Sequence, residues 1–423
     1  MDCPSSEVLR FVEKMVVKLD HVAAFAEMHR LLRDEPGQLA PMLMECLIRL
    51  PESGTFFHAG LSLIAEDEFG ELVNRSVSLL QIDRCHKAAA DCISRAALQV
   101  PRSLQAHLHS LFDLRPNRRT VAECWPWRAA AEADVAFLQA VVGNGGGSES
   151  EREFAWRCLL ETEDGANLAH SMRPPPAMIN SPAEAYLTES GFDAAHELLR
   201  PLTLPGCFHI RFSDSYIDSF VDPVWRPKQI EPSWMLPVDE SDRLRLGGFG
   251  EVECASCGGP THHLLDFNPI PESLGIRSVR RLELLTCLSC LGWEQEILFF
   301  QHRADGDGIP LACGDRRNPE SRCSPLSETL VHLVETPPRW LRQDWGASNA
   351  RENLNRVGGH PTWIQSAQYP NCPKCDQKMP FLMQLDSNLP QLDGNEWLWG
   401  SGGIGYFFWC ESCRITAGLW QCT

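Results

Sequence analysis

The first 140 residues place apolar side chains at helical spacing. From Glu7 to Leu19, Val8, Phe11, Val12, Met15, Val16 and Leu19 follow the i, i+3, i+4, i+7 stripe that one helix face turns toward a core. The stripe recurs at Leu39, Met42, Leu43, Cys46, Leu47 and Leu50, where Pro51 ends it, and at Phe69, Leu72, Val73, Val77 and Leu80. Ala88 to Leu98 and Leu104 to Leu114 supply two more, punctuated by Pro101 and Pro116. Short amphipathic helices in series predict stacked helix hairpins, a HEAT-like array; no strict repeat is present, so a plain helical bundle stands as the alternative.

The pattern then changes. Gly143-Asn144-Gly145-Gly146-Gly147-Ser148 has the composition of a flexible linker, and Pro174-Pro175-Pro176 that of a stiffer break. The glycines follow a helical pattern and lack a Gly-Lys-Ser/Thr ending, which argues against a phosphate cradle. These breaks divide the chain into a helical domain over 1–142, a linker region over 143–180 and a second domain over 181–423. Beyond residue 200 lie ten of the thirteen tryptophans and a series of strand-like runs: Phe208–Phe212, Leu282–Leu285, Glu296–Phe300, Phe381–Leu385 and Tyr406–Trp409. They predict a mainly antiparallel β domain with a few helices, one of them over Ser327–Glu335. The expected fold class is therefore multidomain, α followed by α+β.

Composition narrows the setting. With 43% hydrophobic and 22% charged residues the 423-residue chain has the makeup of a folded soluble protein. The start, Met-Asp-Cys-Pro-Ser-Ser-Glu, lacks a basic segment followed by an apolar one, and no run of eighteen apolar residues occurs, so a cytoplasmic protein without a membrane span is expected. Of the formal charge of −18, residues 1–180 carry −7 and the remainder −11. Neither half offers the basic field that phosphate backbones require, so nucleic-acid binding is not expected, whereas a basic protein partner fits.

The chemistry is concentrated in the cysteines. Eighteen in a long chain without a leader, eight of them in Cys-x-x-Cys pairs, point to metal ligation in a reducing compartment. Cys254 and Cys257 are followed, after 29 residues, by Cys287 and Cys290; Cys372 and Cys375 are followed, after 34, by Cys410 and Cys413. A two-residue gap forms a zinc knuckle, whose tight turn brings both sulfurs to one ion, and two knuckles complete a tetrahedron. The expected cofactor is zinc, two ions, with a structural role, because thiolate-only ligation leaves no open coordination position. A thioredoxin-type role would need a strand-to-helix junction in a βαβ unit; an iron cluster or unmetallated thiols are the remaining readings. The knuckles also sit in a larger self-similarity. Gly247-Gly248, a knuckle, Leu264-Leu265-Asp266-Phe267-Asn268, a second knuckle and the Ile297-Leu298-Phe299 run match in order Gly358-Gly359, a knuckle, Met383-Gln384-Leu385-Asp386-Ser387-Asn388, a second knuckle and Leu419-Trp420-Gln421. This predicts a duplicated β unit, with copies at about 247–302 and 358–423. Spacing alone leaves open whether knuckles pair within a copy or across copies.

Val357-Gly358-Gly359-His360-Pro361-Thr362-Trp363-Ile364-Gln365, the Cys372-Pro373-Lys374-Cys375 knuckle with Met379-Pro380-Phe381-Leu382, the Trp399-Gly400-Ser401-Gly402-Gly403-Ile404-Gly405-Tyr406-Phe407 turn and the closing Trp420-Gln421-Cys422 together resemble the YwqG-like family of bacterial proteins. The likeness covers Val357–Thr423 and extends more weakly back to about residue 200. Members usually have Asp where Ser401 stands. The resemblance implies a β-dominated fold with internal pseudo-symmetry and, through members that look like components of toxin and immunity loci, an immunity role against a toxin. It implies no reaction.

A catalytic constellation is hard to find. His262 and His263, adjacent on a strand, point to opposite faces and read as core or surface residues. His360 reads as part of its turn. Asp305-Gly306-Asp307-Gly308 lacks the third acidic position and closing Glu of a calcium loop and reads as an exposed turn. Gly400-Ser401-Gly402 lacks nucleophile-elbow spacing, and Trp399–Gly403 reads as a hairpin connection. Cys46, Cys85 and Cys92 read as small apolar residues in helical stripes. The expectation is a non-enzymatic binding protein. An enzyme would use a cleft between the β copies lined by Trp363, Trp397 and Tyr406; a third reading is a scaffold binding through its helices alone.

Overall fold

The computed structural model describes residues 3–18, 20–50, 54–114, 124–143, 148–162, 165, 182–193, 199–220, 228–238, 243–312, 319, 322–348 and 351–423. The helical part comprises α1 (Ser6–Val17), α2 (His21–Asp34), α3 (Leu39–Arg49), α4 (Gly54–Leu63), α5 (Phe69–Ile82), α6 (Lys87–Gln99), α7 (Leu108–Leu114), α8 (Glu132–Gly143), α9 (Glu149–Leu160) and α10 (Pro182–Glu189). Local chemistry sets several starts. Ser5 and Asp20 cap α1 and α2 by accepting from Val8 N and Ala23 N. Ser148 and Glu151 form a reciprocal capping box on α9, with Glu151 N donating to Ser148 Oγ (3.2 Å) and Ser148 N donating to Glu151 Oε2 (2.8 Å).

The amphipathic stripes of α1 to α6 close on one apolar core that includes Val8, Val12, Leu43, Leu47, Leu72 and Ile93. A second core joins α7, α8, α9 and α10 through Phe112, Trp127, Leu138, Phe154, Trp156 and Tyr186. The expected linker over 143–180 therefore has a helix in it. Residues 144–147 and 166–180 lie outside the described residues, but α8 and α9 on either side of the glycines pack against each other. The segment expected as helix from Leu104 is a 3-10 turn over Pro101–His107, with α7 beginning only at Leu108, because Pro101 sets the chain into a tight turn first.

The second part holds β1 (Phe192–Asp193), β2 (Arg200–Pro201), β3 (Cys207–Phe212), β4 (Leu244–Leu246), β5 (Phe249–Glu253), β6 (Pro260–Phe267), β7 (Leu282–Thr286), β8 (Leu298–His302), β9 (Gly308–Pro310), β10 (Thr329–Glu335), β11 (Arg356–Gly358), β12 (Phe381–Asp386), β13 (Leu389–Pro390), β14 (Glu396–Trp397), β15 (Ile404–Cys410) and β16 (Ile415–Gln421). Twelve of these form one sheet in the order β5-β6-β4-β10-β3-β11-β12-β15-β16-β8-β9, with β7 on the far edge of β6. The pairings between these strands are antiparallel. β9 comes back against β5 and β7, and Glu283 N donates to Gly306 O (3.3 Å), so the sheet curls into a near-barrel.

The Ser327–Glu335 segment is not a helix. It is β10, which pairs with β3 from Val331↔Phe212 to Glu335↔Phe208 and with β4 on its other edge. Val331 and Val334 suit a pleated, two-sided position, and tertiary pairing outweighs the weak helical spacing of its leucines. β12 and β15 are buried along their whole length, which explains their continuous apolar run: one face lies in a core with Leu382, Phe407 and Trp409, the other in a core with Phe381, Tyr406 and Phe408.

Two Gly-Gly steps turn the chain at corresponding places. Gly247 and Gly248 have φ of 85° and 91°, and Gly358 and Gly359 have 68° and 69°. A Cβ on Gly247 would stand 2.3 Å from Ser327 O, and one on Gly358 2.0 Å from Gly206 O. Both positions combine a left-handed backbone with a close neighbouring strand, so glycine is required.

The two parts meet through buried charge. Arg95 of α6 pairs with Glu352, each side chain 1% exposed, and Glu352 Oε2 also accepts from Ser348 Oγ (2.7 Å) and Gln343 Nε2 (2.9 Å). Arg339 donates to Ile64 O (3.0 Å), to Ser62 O and to Gln99 Oε1 (3.2 Å). Ser62 Oγ in turn donates to Glu231 Oε2 (3.3 Å). These contacts fasten α4 and α6 to the loops of the β part.

Candidate metal centres

The eight knuckle cysteines form two groups, Cys254, Cys257, Cys287 and Cys290, and Cys372, Cys375, Cys410 and Cys413, with the sulfurs of each group within 4.8 Å of one another. Each group thus joins the knuckles that are neighbours along the chain. The first group sits where β5 turns into β6 and where β7 ends; the second sits ahead of β12 and at the β15–β16 turn. Each group clips a two-stranded excursion, β6–β7 or β12–β15, at its base.

Local turns set the thiols. Gly258, with φ 66°, donates its N–H to Cys254 O (2.8 Å), and Asp376, with φ 57°, donates to Cys372 O (2.9 Å) at the corresponding place. The two knuckles share one left-handed turn, and Asp tolerates that conformation better than most side chains. Past Cys287 the chain folds back with Cys290 N (3.0 Å) and Leu291 N (2.9 Å) both donating to Cys287 O.

The spacing of the sulfurs fits an ion. Cys254 and Cys290 Sγ are 4.0 Å apart, Cys257 and Cys287 3.8 Å, and Cys375 and Cys410 3.7 Å. A tetrahedron with metal–sulfur bonds of about 2.3 Å has an edge of about 3.8 Å. The separations are far beyond a disulfide of about 2.05 Å. Four thiols this close cannot all ionise without a cation: the hydrogen bonds Cys254 shares with Cys287 and Cys290 pull its thiol down to about 2, while those Cys287 shares with Cys254 and Cys290, together with burial, push Cys287 up. Both groups can hold a metal ion in a closed four-sulfur shell.

The two shells differ in exposure. Cys254, Cys257, Cys287 and Cys290 are all buried, whereas Cys375 is exposed and Cys413 half-buried. The first shell is also braced from outside. Arg322 donates to Cys257 Sγ (3.0 Å) and Cys257 O (3.2 Å), His262 Nδ1 accepts from Leu288 N (3.1 Å), and His262 Nε2 donates to Cys323 O (3.0 Å). His262 is therefore a neutral core histidine that positions the second knuckle. Sequence reasoning missed Arg322. Its one local trace is Gly259, where a Cβ would meet Arg322 Nη1 at 1.5 Å. The second shell leans on the other unit, where Gln301 of β8 donates to Cys413 O (2.7 Å) and Arg414 O (3.0 Å).

Other candidate residues disperse. His263 is buried, with its imidazole pushed down to about 4 mainly by burial. Asp305–Gly308 is the β8–β9 turn, with Asp307 3.8 Å from Arg281. Trp399–Gly403 is a turn closed by Gly403 N donating to Trp399 O (2.7 Å), but β14 and β15 on its two sides do not pair, so it is not a hairpin. Cys46 and Cys92 are buried, their thiols pushed up to about 12 by burial; Cys85, by contrast, is exposed between α5 and α6, where the chain has left the helical stripe. Trp363, Trp397 and Tyr406 do not line one cleft. Trp363 packs on Tyr406 with ring centres 4.7 Å apart in one core, while Trp397 packs edge-on against Trp399 in the other.

His302 links the two units. Its Nδ1 donates to Gly306 O (3.1 Å), and its Nε2 accepts from Thr416 Oγ1 (2.9 Å). Burial lowers this imidazole to about 4 from an ordinary 6.5, so on acidification the unfolded chain takes the proton first. The stability His302 contributes is complete above pH 6.5 and is lost as pH falls toward 4, at about 1.4 kcal/mol per unit. His302→Gln is expected to be clearly less stable than wild type at pH 7, with the gap narrowing by roughly 2 kcal/mol at pH 4.5. Urea unfolding at both pH values measures it; a gap independent of pH contradicts it.

Among the described residues no helix is long and apolar enough to cross a membrane. Residues 313–412 match the family model described as Domain of unknown function (DUF1963), a stretch that contains Cys372, Cys375 and Cys410 but none of the first group. The chain is also similar to "Uncharacterized protein YpfL" of Salmonella typhimurium (strain LT2), 41% identical over 197 residues, a match covering 41% of this chain and 40% of that relative. The chain therefore spans about two fifths of the length of that curated relative. No solved structure matches.

Proposed function

We propose that this is a non-enzymatic binding protein in which two zinc ions, one per four-cysteine shell, act structurally. The donor set carries the reading. Eight thiolates in two closed shells favour zinc and leave no position for a substrate. Water-activating zinc would need an open site, and the nearby His262 has both ring nitrogens engaged. The two β units are read as a duplication, supported by the repeated Gly-Gly step, knuckle, strand pair and knuckle. The helices are read as a HEAT-like array, supported by the packing of α1 on α3, α2 on α4 and α4 on α6.

The partner in this reading is a basic protein, most specifically a toxin that the chain neutralises as an immunity protein; the formal charge of −18 supports it. Co-expressing the full chain with the products of neighbouring reading frames tests the idea. The expected result is stoichiometric co-purification with a basic product and protection of cells from it, weakened at high salt. Failure to bind or protect against any neighbouring product overturns it.

A further inference from the structure

Alternation along β3 and β10 sorts their residues onto two faces. Ile210, Phe212 and Val331 belong to the apolar core, so Arg211, Leu330 and His332 lie on the opposite face of the sheet. The register sets Arg211 directly across from His332. Packing alone would favour an apolar or an oppositely charged pair at such a position, since two basic residues facing each other gain nothing from the contact. Arg211 is nevertheless only 8% exposed.

A cavity of about 230 Å³ opens over this pair. Its wall includes Arg211, Leu330 and His332 from the sheet, Asp214 just after β3, and Val238 and Arg243 ahead of β4. That volume is far more than a single water needs and falls short of the roughly 300–1,000 Å³ of pockets for drug-sized molecules, so it suits a small one. Two nitrogens of the wall residues have nothing to bond to. Arg211 Nη2 donates to Asp214 Oδ1 (2.6 Å) and Nη1 to the carbonyl of Phe212, while Nε is buried without a partner. His332 Nδ1 is likewise buried without a partner. Such groups cost stability unless something bonds to them. Asp214 does not fill the need: its side chain is 75% exposed, so water screens its charge, and it engages one edge of the guanidinium. Beside the polar groups, Leu330 is 49% exposed and Val238 half-buried, an apolar strip along the same cavity.

We propose that this cavity binds a small ligand through an oxyanion, a carboxylate or a phosphate, held between Arg211 and His332, with the apolar body of the ligand on Leu330 and Val238. An oxyanion supplies the acceptor that both basic residues lack, and a guanidinium is the side chain best shaped to hold one. Arg243, exposed at the edge of the cavity, adds positive charge on the side where a ligand enters.

Isothermal titration of the full zinc-loaded chain with acetate, butyrate, inorganic phosphate and butyl phosphate tests this. Saturable binding of at least one probe is expected, with the butyl-bearing member of its pair severalfold tighter than the bare anion. Arg211→Gln is expected to weaken binding about tenfold or more by loss of a charge-assisted bond. His332→Phe, which keeps a ring and removes both nitrogens, is expected to weaken it severalfold and decides the matter if Arg211→Gln does not fold. Leu330→Ala is expected to remove the gain from the butyl chain and leave the bare anion's affinity unchanged, a split that a merely structural role would not produce. Arg10→Gln, on the exposed side of α1, is expected to bind as wild type. Preference between the two pairs identifies the group as carboxylate or phosphate. No saturable binding of any probe, as for a cavity that holds water alone, or binding unchanged in the folded Arg211 and His332 variants, overturns the proposal; a butyl chain that adds nothing overturns the placing of the ligand on Leu330.

Discussion

Stripping the chain of metal is expected to unfold the β part, and to do so in two steps. Each four-thiolate shell joins strands that are otherwise far apart in sequence, and a structural zinc of this kind contributes roughly 10 kcal/mol of folding free energy at neutral pH. That is comparable with the whole net stability of an ordinary domain, about 5–15 kcal/mol. The shells should not release together. Cys375 is exposed and Cys413 half-buried, whereas the four cysteines of the first shell are buried, with Arg322 donating to one of the sulfurs. A chelating dye should therefore register one zinc quickly and the second only as the β part opens, two per chain in all. Cys375→Ser should remove the fast phase and leave the slow one; Cys287→Ser should leave little soluble folded protein. Elemental analysis of protein purified without chelator gives the total. A chain that keeps its β spectrum with no metal and eight free thiols would sink both the zinc assignment and its structural role.

The knuckle cysteines of the two groups were legible because a knuckle is local. Two cysteines three positions apart announce a turn whatever the rest of the chain does, but which knuckles belong together was left open by spacing and is given by the fold. What encloses them was not legible. Arg322 reaches Cys257 across 65 residues, and Gln301 reaches Cys413 across 112, with no periodicity connecting either pair. The helices were legible where one face is apolar and the other meets water, as in α1, α3 and α5. α6 misleads in a particular way. Its polar residues Asp91, Arg95 and Gln99 fall on one face at i, i+4 and i+8, which amphipathic logic assigns to solvent, yet all three are buried. That face meets the β part, where a charged network takes the place of water. β10 misleads for a related reason: a strand paired on both edges shows no clean alternation, and Thr-Leu-Val-His-Leu-Val passes for a helix face until β3 and β4 are known to flank it.

Breaking the Arg95–Glu352 pair is expected to destabilise the whole chain, not one half of it. Both side chains are 1% exposed, so removing either leaves a charge stranded away from water, at a cost of roughly 3–5 kcal/mol. Glu352 is the more informative site, because Ser348 and Gln343 also donate to its Oε2. Glu352→Gln keeps an acceptor for both and removes only the charge; Arg95→Met removes the cation and keeps the bulk of the side chain. Each single variant should lower the urea midpoint markedly. The double variant should be less damaging than the sum, since the two strandings cancel, and the recovered part is the coupling energy of a double-mutant cycle. The direction of cooperativity matters as much as the size. If α4 and α6 are fastened to the β part through this network, helical and tryptophan signals should melt together in wild type, and a helical fragment ending at 162 should expose Ser62, Arg95 and Gln99 and fail to stay folded as a monomer. Binding through the helices alone would then be no independent property. Single variants within about 0.5 kcal/mol of wild type, the range of ordinary surface substitutions, or a fragment that folds by itself, would show that the interface contributes little and that the two parts behave as separate domains.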